Sequence, residues 1–583
     1  MLKLFKYLKP YWWQVLILLI SVALQVYCTL RLPALMAEII NDGIVAENPD
    51  LIWTIGLRMI MLAVVSAVGA LVSSFFSARI GAFFSRDLRA DVFAKVMSFD
   101  ISDMKAFSTA SLITRTTNDI NQVQQTITMM LSLMLRAPMF FIIAIIMAIQ
   151  TAPDMTWIIA VSTIAIMGVI ILIMSLIIPK FKIFQKLIDK ITQLTRENLT
   201  GLRVIRAFNN EKYEQKKFKK TNTELTELLI FIDKTMELMN PFVNIIFNGT
   251  TLLCSWIGIS LLSKDFAYLG NMSAFAQYVT QIMMSFLMMS ILFVMLPRAN
   301  VSAGRINEIL GTKPKIHWKN TTEGVSYRTP VIEFKHVDFK YPDAEEKMLS
   351  DISFVAEAGK TTAFIGSTGS GKSTLINLVP RFHEATAGEI IINGINIKDY
   401  SKKDLISKIG FVPQRGILFS GTVKSNIAFG APNASMKDIE EAATISQSKE
   451  FITKLPDKYN SHIAQGGTNV SGGQKQRLSI ARAICKNPEI FVFDDSFSAL
   501  DMKTDKKLRE ALKPISKDSV VLIVAQRINT IKDADQIIVL DEGKIVGKGN
   551  HKELLLGCEV YRQIVQSQFS EKEYALELKE AHA

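Results

Sequence analysis

Apolar residues are grouped into long uninterrupted runs in the first 300 residues of the chain. A helix needs about 20 apolar residues to cross roughly 30 Å of hydrocarbon. Six runs of this kind lie near residues 13–35, 52–78, 128–150, 155–178, 241–263 and 272–297. The pattern therefore predicts an all-α membrane domain over residues 13–310. Residues 1–12 interleave leucines with lysines, which predicts a short interfacial helix on the membrane surface.

Basic residues are distributed unevenly among the connectors between these runs. Segments 37–50 and 151–154 contain no Lys or Arg, and segment 264–270 contains only Lys264. The other two connectors are basic and hold Arg79, Arg86, Arg89, Lys95, Lys105 and Arg115 in the first and Lys180, Lys182, Lys186, Lys190, Arg196, Arg203 and Arg206 in the second. Because basic connectors stay on the cytoplasmic side, we expect a multi-pass protein of the cell membrane with a cytoplasmic N-terminus. Helical periodicity in both basic connectors predicts that the membrane helices extend well into the cytosol.

The pattern changes at about residue 325, where short β-branched and aromatic strands begin to alternate with amphipathic helices. Such alternation is typical of an α/β domain built on a mainly parallel sheet, which we place at residues 331–570. The clearest strand candidates are Val331–Phe334, Thr361–Ile365, Ile490–Phe493 and Val520–Val524. Residues 311–330 form a linker, and residues 571–583 form a C-terminal tail.

Composition narrows the class of protein further. Apolar residues make up 49% of the 583 residues and charged residues 21%, which excludes a disordered chain. The net charge of +12 is compatible with nucleic-acid binding. The basic connectors account for much of this charge, however, so we expect no nucleic acid partner. The four cysteines stand far apart, which supports neither a disulfide framework nor a zinc site.

A glycine-rich loop follows the predicted strand Thr361–Ile365 and matches the pattern G-x-x-x-x-G-K-[ST]. In such a loop the backbone N–H groups surround phosphate oxygens, the lysine reaches the β and γ phosphates, and the final hydroxyl ligates Mg²⁺. The loop consists of Gly366, Ser367, Thr368, Gly369, Ser370, Gly371, Lys372 and Ser373, and Thr374 opens the next helix. The sequence therefore predicts a nucleotide phosphate site.

Two further motifs fit the same chemistry. The apolar strand Ile490–Phe493 ends in Asp494, whose carboxylate can hold Mg²⁺ through water. The residues Ser471, Gly472, Gly473 and Gln474 open an amphipathic helix. The Ser471 hydroxyl and the following N–H groups offer another anion site, able to contact a γ-phosphate that is bound elsewhere.

In this order, the phosphate loop, Gln414, Ser471–Gln474, Asp494 and Ser498–Asp501 resemble the nucleotide-binding domain of ABC transporters. The whole chain is similar to a half-transporter of the exporter type, which implies a six-helix membrane bundle followed by an α/β P-loop ATPase domain. The resemblance implies that ATP and Mg²⁺ are the cofactors, that Tyr341 stacks on adenine, and that Gln414 joins Ser373 and Asp494 at the metal. It also implies a second half-transporter, whose bound ATP contacts Ser471. Residues 197–208 resemble a family connector with a short helix that docks on a nucleotide domain.

Two positions depart from the family pattern. Asp495 stands where the family usually has the glutamate that orients attacking water, and Gln526 stands where it has a switch histidine. An aspartate carboxylate lies about 1.5 Å further back, and a misplacement of about 1 Å can lower a rate on the order of 10²-fold. Glutamine can hydrogen-bond a phosphate oxygen, but it cannot become cationic. We therefore expect a slow ATP site here and a different partner subunit that carries the catalytic glutamate.

The expected function is ATP-driven export of amphipathic or hydrophobic compounds, such as drugs or lipid-like molecules, by a heterodimeric pump. A homodimeric exporter that tolerates Asp495 and Gln526 is one alternative. An ATP-gated channel or regulatory protein built from the same parts is another. A soluble ABC-type ATPase that acts on nucleic acid is disfavoured by the six apolar runs. The predicted partners are thus a second half-transporter, membrane lipids and a hydrophobic small molecule.

Overall fold

The computed structural model of the chain describes residues 1–262, 268–324, 329–342 and 344–582, without the side chains of residues 105, 261–262, 268 and 290–294. Lys264 of the third predicted outer connector and residues 325–328 of the predicted linker therefore lie outside the described residues. The chain divides into two compact units. The first contains Met1–Ser98 and Phe107–Thr312, and the second contains Phe99–Ala106 and Lys313–Ala583.

The first 312 residues are helical almost throughout, as the apolar pattern predicts. After a 3₁₀ helix at Leu2–Tyr11, the α-helices are α1 (Trp12–Glu38), α2 (Pro49–Met97), α3 (Ile101–Phe107), α4 (Thr109–Thr116), α5 (Asn118–Met129), α6 (Leu135–Thr151), α7 (Thr156–Thr200), α8 (Leu202–Ala207), α9 (Glu211–Glu237), α10 (Met239–Leu262) and α11 (Tyr268–Gly311). Short π-helical segments at Ile39–Val45 and Met130–Met134 follow α1 and α5.

The long helices exceed the thickness of a bilayer. Helix α2 has 49 residues, which at 1.5 Å per residue corresponds to about 74 Å. The prediction of extensions beyond the membrane is therefore confirmed by helix length. Five helical stretches of the described chain are long and apolar enough to span a membrane: Leu2–Val45, Pro49–Met97, Thr109–Thr151, Pro153–Thr200 and Glu211–Ser260. The sixth predicted span, 272–297, lies inside the continuous helix α11.

The N-terminal 3₁₀ helix is fixed to α2 by two tyrosines. The Tyr7 hydroxyl donates to Asp91 Oδ2 at 2.7 Å, and the Tyr11 hydroxyl donates to Asp87 Oδ2 at 2.5 Å. Leu4 is buried beneath the same segment. The two tyrosines and the two aspartates are each four residues apart, so the same tyrosine–aspartate bond occurs twice between the two elements.

The second unit is an α/β domain with two cores. Its strands are β1 (Val331–Phe339), β2 (Leu349–Glu357), β3 (Thr361–Gly366), β4 (Ala387–Ile392), β5 (Ile395–Asn396), β6 (Ile409–Val412), β7 (Gly421–Thr422), β8 (His462–Ile463), β9 (Ile490–Asp494), β10 (Val520–Val524), β11 (Gln536–Asp541) and β12 (Lys544–Gly549). Its helices are α12 (Lys372–Leu378), α13 (Lys402–Lys408), α14 (Val423–Ile427), α15 (Met436–Ile445), α16 (Lys449–Ile452), α17 (Gly472–Cys485), α18 (Met502–Leu512), α19 (Ile528–Ile531), α20 (His551–Gly557), α21 (Glu559–Gln568) and α22 (Glu571–His582).

The main sheet has the strand order β12-β11-β3-β10-β9-β6, and only the β11–β12 pair is antiparallel. A second, antiparallel sheet has the order β2-β1-β4-β5. Side chains of β9 alternate between two cores, with Phe491 and Phe493 in one and Ile490 and Val492 in the other. A strand buried on both faces is uniformly apolar, which is why the sequence pattern identifies these central strands.

The predicted C-terminal tail is helical. Helix α22 covers Glu571–His582, and its Tyr574, Leu578 and Ala581 pack against the larger core. Glu577 of this helix accepts a hydrogen bond from Lys532 at 3.2 Å and contacts His551 Nε2 at 3.2 Å. The four cysteines are buried and free.

Candidate functional site

Four neighbouring parallel strands end at the same edge of the main sheet. Strands β3, β10, β9 and β6 are adjacent, and their carboxyl ends are followed by the phosphate loop, Gln526, Asp494–Asp495 and Gln414. In open α/β sheets, ligands bind outside the carboxyl ends of the strands. The topology thus brings motifs that are up to 160 residues apart in the sequence to one edge.

The phosphate loop adopts a backbone that requires glycine. Gly366 and Gly371 have φ angles of 155° and 98°, which disfavour residues with a Cβ atom. A Cβ atom on Gly366 would lie 2.0 Å from the Leu540 carbonyl oxygen, and one on Gly371 would lie 2.7 Å from Leu349 Cδ2. The loop can therefore pass close to β11 and β2 only with glycine at both positions. Ser367, Thr368 and Gly369 form its exposed tip.

Lys372 is folded back onto its own loop. Its Nζ donates to the carbonyl oxygens of Gly366 and Ser367 at 2.9 and 2.7 Å and approaches Ser370 Oγ at 3.3 Å. Burial lowers the pKa of the Lys372 ammonium, while Asp495 and Asp494 oppose that shift. The cation is thus held at the centre of the cradle, in the position from which it can exchange backbone oxygens for phosphate oxygens.

Ser373 and Asp494 form the predicted metal-binding pair. The Ser373 hydroxyl donates to Asp494 Oδ1 at 2.7 Å, and burial raises the pKa of the Asp494 carboxyl. Within the described ranges, no group of three or more His, Cys, Asp or Glu side chains could hold a metal ion. Mg²⁺ commonly binds one or two protein oxygens together with substrate phosphates. The hydroxyl and carboxylate present therefore fit Mg²⁺ bound with a nucleotide.

Asp495 lies next to this pair, and its Oδ2 atom accepts two amide hydrogen bonds. Gln526 Nε2 donates at 2.9 Å and Gln414 Nε2 at 3.3 Å. The backbone N–H of Asp495 donates to the Val524 carbonyl at 3.0 Å, which ties the end of β9 to the end of β10. Burial raises the pKa of the Asp495 carboxyl, although the Gln414 hydrogen bond opposes this. The two positions that depart from the family pattern thus contact each other directly. Among the hydrogen bonds of the described residues, Gln414 contacts Asp495 and none joins it to Ser373 or Asp494, so its predicted place at the metal stays a prediction.

Ser471 begins α17 as its N-cap residue. Its Oγ accepts from the Gln474 N–H at 3.3 Å, and Gln474 Oε1 accepts from the Ser471 N–H at 2.9 Å. Ser471 and Gly472 are exposed, and Gly473 is half-buried near Ala499. In the part of the chain that the structure describes, no hydrogen bond joins Ser471–Gln474 to the phosphate loop. The N-terminus of α17 is therefore fully formed, and it lies exposed on the surface of the nucleotide-binding domain.

Tyr341 lies beside the first turn of α12. Its hydroxyl shares a hydrogen bond of 3.0 Å with Thr374 Oγ1, and its ring packs edge-on against Phe339 and His383 at centroid distances of 4.8 and 5.5 Å. The ring is half-buried. The predicted adenine-stacking residue is hydrogen-bonded to Thr374, which directly follows the phosphate loop.

Three glutamine or arginine side chains near the site were not predicted from the sequence. Gln476 accepts from the Gly416 N–H at 2.9 Å and donates to the Pro413 carbonyl at 3.0 Å, which attaches α17 to the segment of Gln414. Arg527 donates to the Ser498 carbonyl at 3.2 Å. Gln568 donates to the Gln526 carbonyl at 2.7 Å and accepts from the Ile528 N–H at 2.9 Å. The sequence signal for Gln476 and Arg527 is that each adjoins a recognised motif.

Family models match both parts of the chain. Residues 15–286 match the ABC transporter transmembrane region, and residues 349–498 match the ABC transporter model of the nucleotide-binding part.

Full-length relatives extend this similarity. An uncharacterized ABC transporter ATP-binding protein of Mycobacterium tuberculosis (strain CDC 1551 / Oshkosh) is 37% identical and covers 97% of each chain. An uncharacterized ABC transporter ATP-binding protein of Bacillus subtilis (strain 168) is 37% identical and covers 98% of this chain and 99% of its own length. An ATP-dependent lipid A-core flippase of Aromatoleum aromaticum (strain DSM 19018 / LMG 30748 / EbN1) is 29% identical and covers 92% of this chain and 89% of its own.

A solved structure has the same fold. A bacterial Atm1-family ABC exporter with ATP bound superimposes with a TM-score of 0.80, at 22% identity, over 97% of this chain and 99% of that chain. An N-terminal helical membrane domain followed by a nucleotide-binding α/β domain is therefore confirmed as the architecture.

Proposed function

The chain belongs to the ABC transporter family and has the exporter-type fold, and from this premise we propose that it is the low-activity half of a heterodimeric exporter. The ATPase domain implies ATP hydrolysis coupled to transport, and a half-transporter acts as a dimer, with another ABC subunit or with itself. Its cargo would be amphipathic or hydrophobic compounds, moved across the cell membrane.

One observation carries the proposal: the Asp495 carboxylate is held by the amides of Gln526 and Gln414 at 2.9 and 3.3 Å. ATP hydrolysis needs a carboxylate that orients water on the γ-phosphate. The same Oδ2 atom accepts both amides, and the aspartate is one methylene shorter than glutamate. This carboxylate therefore supports nucleotide binding beside Mg²⁺ better than it supports activation of water.

The exposed start of α17 supports a shared site. Its Ser471 hydroxyl and the N–H groups after it are positioned to meet an anion brought by another subunit. In the proposed dimer, ATP bound by the partner's phosphate loop contacts Ser471. The partner then contributes the glutamate, and hydrolysis occurs at that composite site.

Helix α8 supports a subunit interface. This six-residue helix contains no buried residue. The apolar side chains at and around it are exposed by 42 to 75%, and they are Leu199, Leu202, Val204 and Phe208. An apolar patch of this kind marks an interaction site. We assign it to the nucleotide-binding domain of the partner subunit.

The charge of the connectors supports the proposed orientation of the chain, and sequence similarity to a relative supports the proposed cargo. The basic connectors favour a cytoplasmic location for the N-terminus and the nucleotide-binding domain. The relative named a lipid A-core flippase, at 29% identity, favours an amphipathic cargo.

The test compares the purified chain alone with the same chain co-purified with its partner. We expect slow ATP turnover by the chain alone and faster turnover by the complex. Asp495→Glu together with Gln526→His should raise turnover by the chain alone by up to about 10²-fold, because it restores the reach of the carboxylate. Adding Lys372→Ala to the double variant should remove the gain, which shows that the chain's own phosphate loop is responsible.

Rapid ATP turnover by the wild-type chain alone would contradict the proposed heterodimer and would indicate a homodimeric exporter. An unchanged rate in a double variant that still binds ATP would show that Asp495 and Gln526 do not limit hydrolysis.

A further inference from the structure

One face of α2 is apolar and exposed over residues 57–75. The residues on this face recur every third or fourth position, so they form a single stripe. Their exposed fractions lie between 53 and 71%, and they are Leu57, Met61, Val64, Val68, Leu71 and Phe75. In a multi-pass membrane protein, such a stripe is the surface that contacts lipid hydrocarbon.

The stripe continues directly into two arginines. Arg79 follows Phe75 by four residues. Ala82 and then Arg86 continue the same face at spacings of three and four residues. Both arginines are exposed. Four residues of helix span about 6 Å, so the Arg79 guanidinium lies one turn beyond the last lipid-facing ring. With the apolar stripe in the hydrocarbon, Arg79 would lie where the lipid headgroups begin.

The two guanidinium groups share one aromatic ring. Arg79 and Arg86 lie 5.2 and 5.0 Å from the centroid of Phe83, and Arg79 also lies 5.9 Å from the centroid of Phe75. Stacking on aromatic rings restricts the planar guanidinium groups without occupying their N–H donors. The N–H donors of Arg79, and those of Arg86 that are not bound to Asp87 and Tyr11, therefore remain available along the same face.

The two arginines differ in their charge partners. Arg86 donates to Asp87 Oδ1 at 2.8 Å and to the Tyr11 hydroxyl at 3.2 Å. Among the residues that the structure describes, Arg79 forms no ion pair and no hydrogen bond through its side chain. The site thus holds one uncompensated positive charge next to a partly compensated one.

The N-terminal segment supplies aromatic walls. The Tyr11 ring lies 5.5 Å from Phe83, and the Trp13 ring lies 6.3 Å from Phe76 in an edge-on contact. Trp12 and Trp13 are 68 and 45% exposed. Exposed tryptophans collect at the membrane–water interface, which gives the same depth for this segment as the end of the apolar stripe.

We propose that Arg79, Arg86 and Phe83 form a binding site for the phosphate headgroup of an anionic phospholipid. The acyl chains would lie along the apolar stripe of α2, and the phosphate would accept hydrogen bonds from the two guanidinium groups. Arginine binds phosphate oxygens in a bidentate manner. A zwitterionic lipid such as phosphatidylcholine carries a trimethylammonium group that the uncompensated charge of Arg79 would repel, so the site prefers phosphatidylglycerol.

The test is native mass spectrometry of the full chain in detergent, titrated with phosphatidylglycerol or with phosphatidylcholine. We expect phosphatidylglycerol to bind about tenfold more tightly than phosphatidylcholine to the wild type. Arg79→Gln should remove most of this preference. It breaks no ion pair among the described residues and loses only exposed contacts with Phe75 and Phe83, so the melting temperature should fall only slightly. Arg79→Lys keeps the charge without the planar stack and should retain part of the preference.

Lys216→Gln is the matched control. Lys216 is an exposed cation in α9 whose side chain forms no hydrogen bond or ion pair with a described residue, so its replacement removes the same charge away from the site. A control variant that loses the preference as strongly as Arg79→Gln would reduce the effect to net charge and overturn the proposal. Retention of the full preference by Arg79→Gln would overturn it as well. Inorganic phosphate at millimolar concentration should not displace the lipid, and displacement would assign the site to a soluble anion.

Discussion

Asp495 has a backbone conformation that few residues adopt. Its φ angle is 47°, in the left-handed region, which aspartate and asparagine tolerate better than most other side chains. The turn directs its carboxylate toward Gln526, while the preceding Asp494 remains in the strand and faces Ser373. Two consecutive aspartates therefore contact different partners.

The contact between Asp495 and Gln526 could not be predicted from the sequence. The sequence identifies each residue separately as a departure from a family pattern. Their contact depends on the pairing of β9 with β10 in parallel, with Val524 opposite Asp494. The strands are recognisable because they are apolar and β-branched, but their order and register depend on long-range packing that no local pattern encodes.

Gln568 gives a prediction at this scale. The N-cap residue Arg527 makes no side-chain hydrogen bond to the start of α19. Gln568 supplies the missing cap, since its Oε1 accepts from the Ile528 N–H. Gln568→Ala should speed amide hydrogen exchange of Ile528 by about 5-fold, as expected for the loss of a partly buried hydrogen bond of about 1 kcal/mol. Mass-spectrometric hydrogen exchange of residues 526–531 measures it.

Gln563→Ala is the control for this prediction. Gln563 lies on the same helix and donates to Glu559 at 3.4 Å, away from α19. Equal exchange in both variants, or a general rise over α21, would show that the helix as a whole and not the cap is affected.

At the scale of elements, the linker is fastened to the start of α13. The Glu323 N–H donates to the Asp399 carbonyl at 3.0 Å, and the Ser401 N–H donates to Thr322 Oγ1 at 3.1 Å. The Thr322 hydroxyl also donates to Asp404 Oδ2. This part of the predicted linker is therefore an ordered strap on the nucleotide-binding domain.

The strap has a pH-dependent component. Hydrogen bonds from Thr322 and Ser401 lower the pKa of the Asp404 carboxyl. A lowered pKa means that this stabilisation is present above the ordinary aspartate pKa of about 3.9 and is lost as the pH falls through the lower folded value. Asp404→Asn should therefore lower the melting temperature at pH 7, and the difference from the wild type should shrink as the pH falls well below 3.9.

Thermal melts followed by circular dichroism at several pH values test this expectation. Asp518→Asn is the control, since Asp518 is exposed and forms no side-chain hydrogen bond within the described chain. A wild-type and Asp404→Asn pair whose difference stays constant with pH would contradict the assigned cause.

Helices were predictable from the sequence to different degrees. The membrane helices follow from apolar runs, whose period and length identify them directly. The segment of helix α22 was predicted only as a C-terminal tail, and half of its residues are charged. Tyr574, Leu578 and Ala581 pack on the domain core, whereas Leu576 on the same helix is exposed. The sequence alone does not show which of these apolar residues have a surface to pack against.

At the scale of the whole molecule, Ser471 connects two subunits in the proposed dimer. Ser471→Ala in the complex with the partner should lower ATP turnover by about 10²-fold, because a positioned donor to the reacting phosphate is lost. ATP binding by the isolated chain should be unchanged, since its own phosphate loop is intact. Turnover and nucleotide-binding measurements on the two preparations test both parts.

Ser435→Ala is a matched control for that prediction. Ser435 caps α15 with the same reciprocal pair of hydrogen bonds, made with Asp438. Loss of either cap should destabilise the domain by about 1 kcal/mol. A fall in turnover that is equal in both variants would therefore reflect stability alone and would contradict a role for Ser471 in the dimer.

The reciprocal hydrogen bonds of Ser471 have a consequence for how fast the two halves can join. Ser471 Oγ accepts a hydrogen bond from the Gln474 N–H. The Ser471 O–H is not used in that bond, so it can donate a hydrogen bond to an incoming phosphate while the helix cap stays intact. Closure then requires no local rearrangement of this loop. We therefore expect the association rate of the two subunits to be limited by the diffusional encounter of rigid surfaces. The rate should depend on solvent viscosity rather than on ordering of this loop.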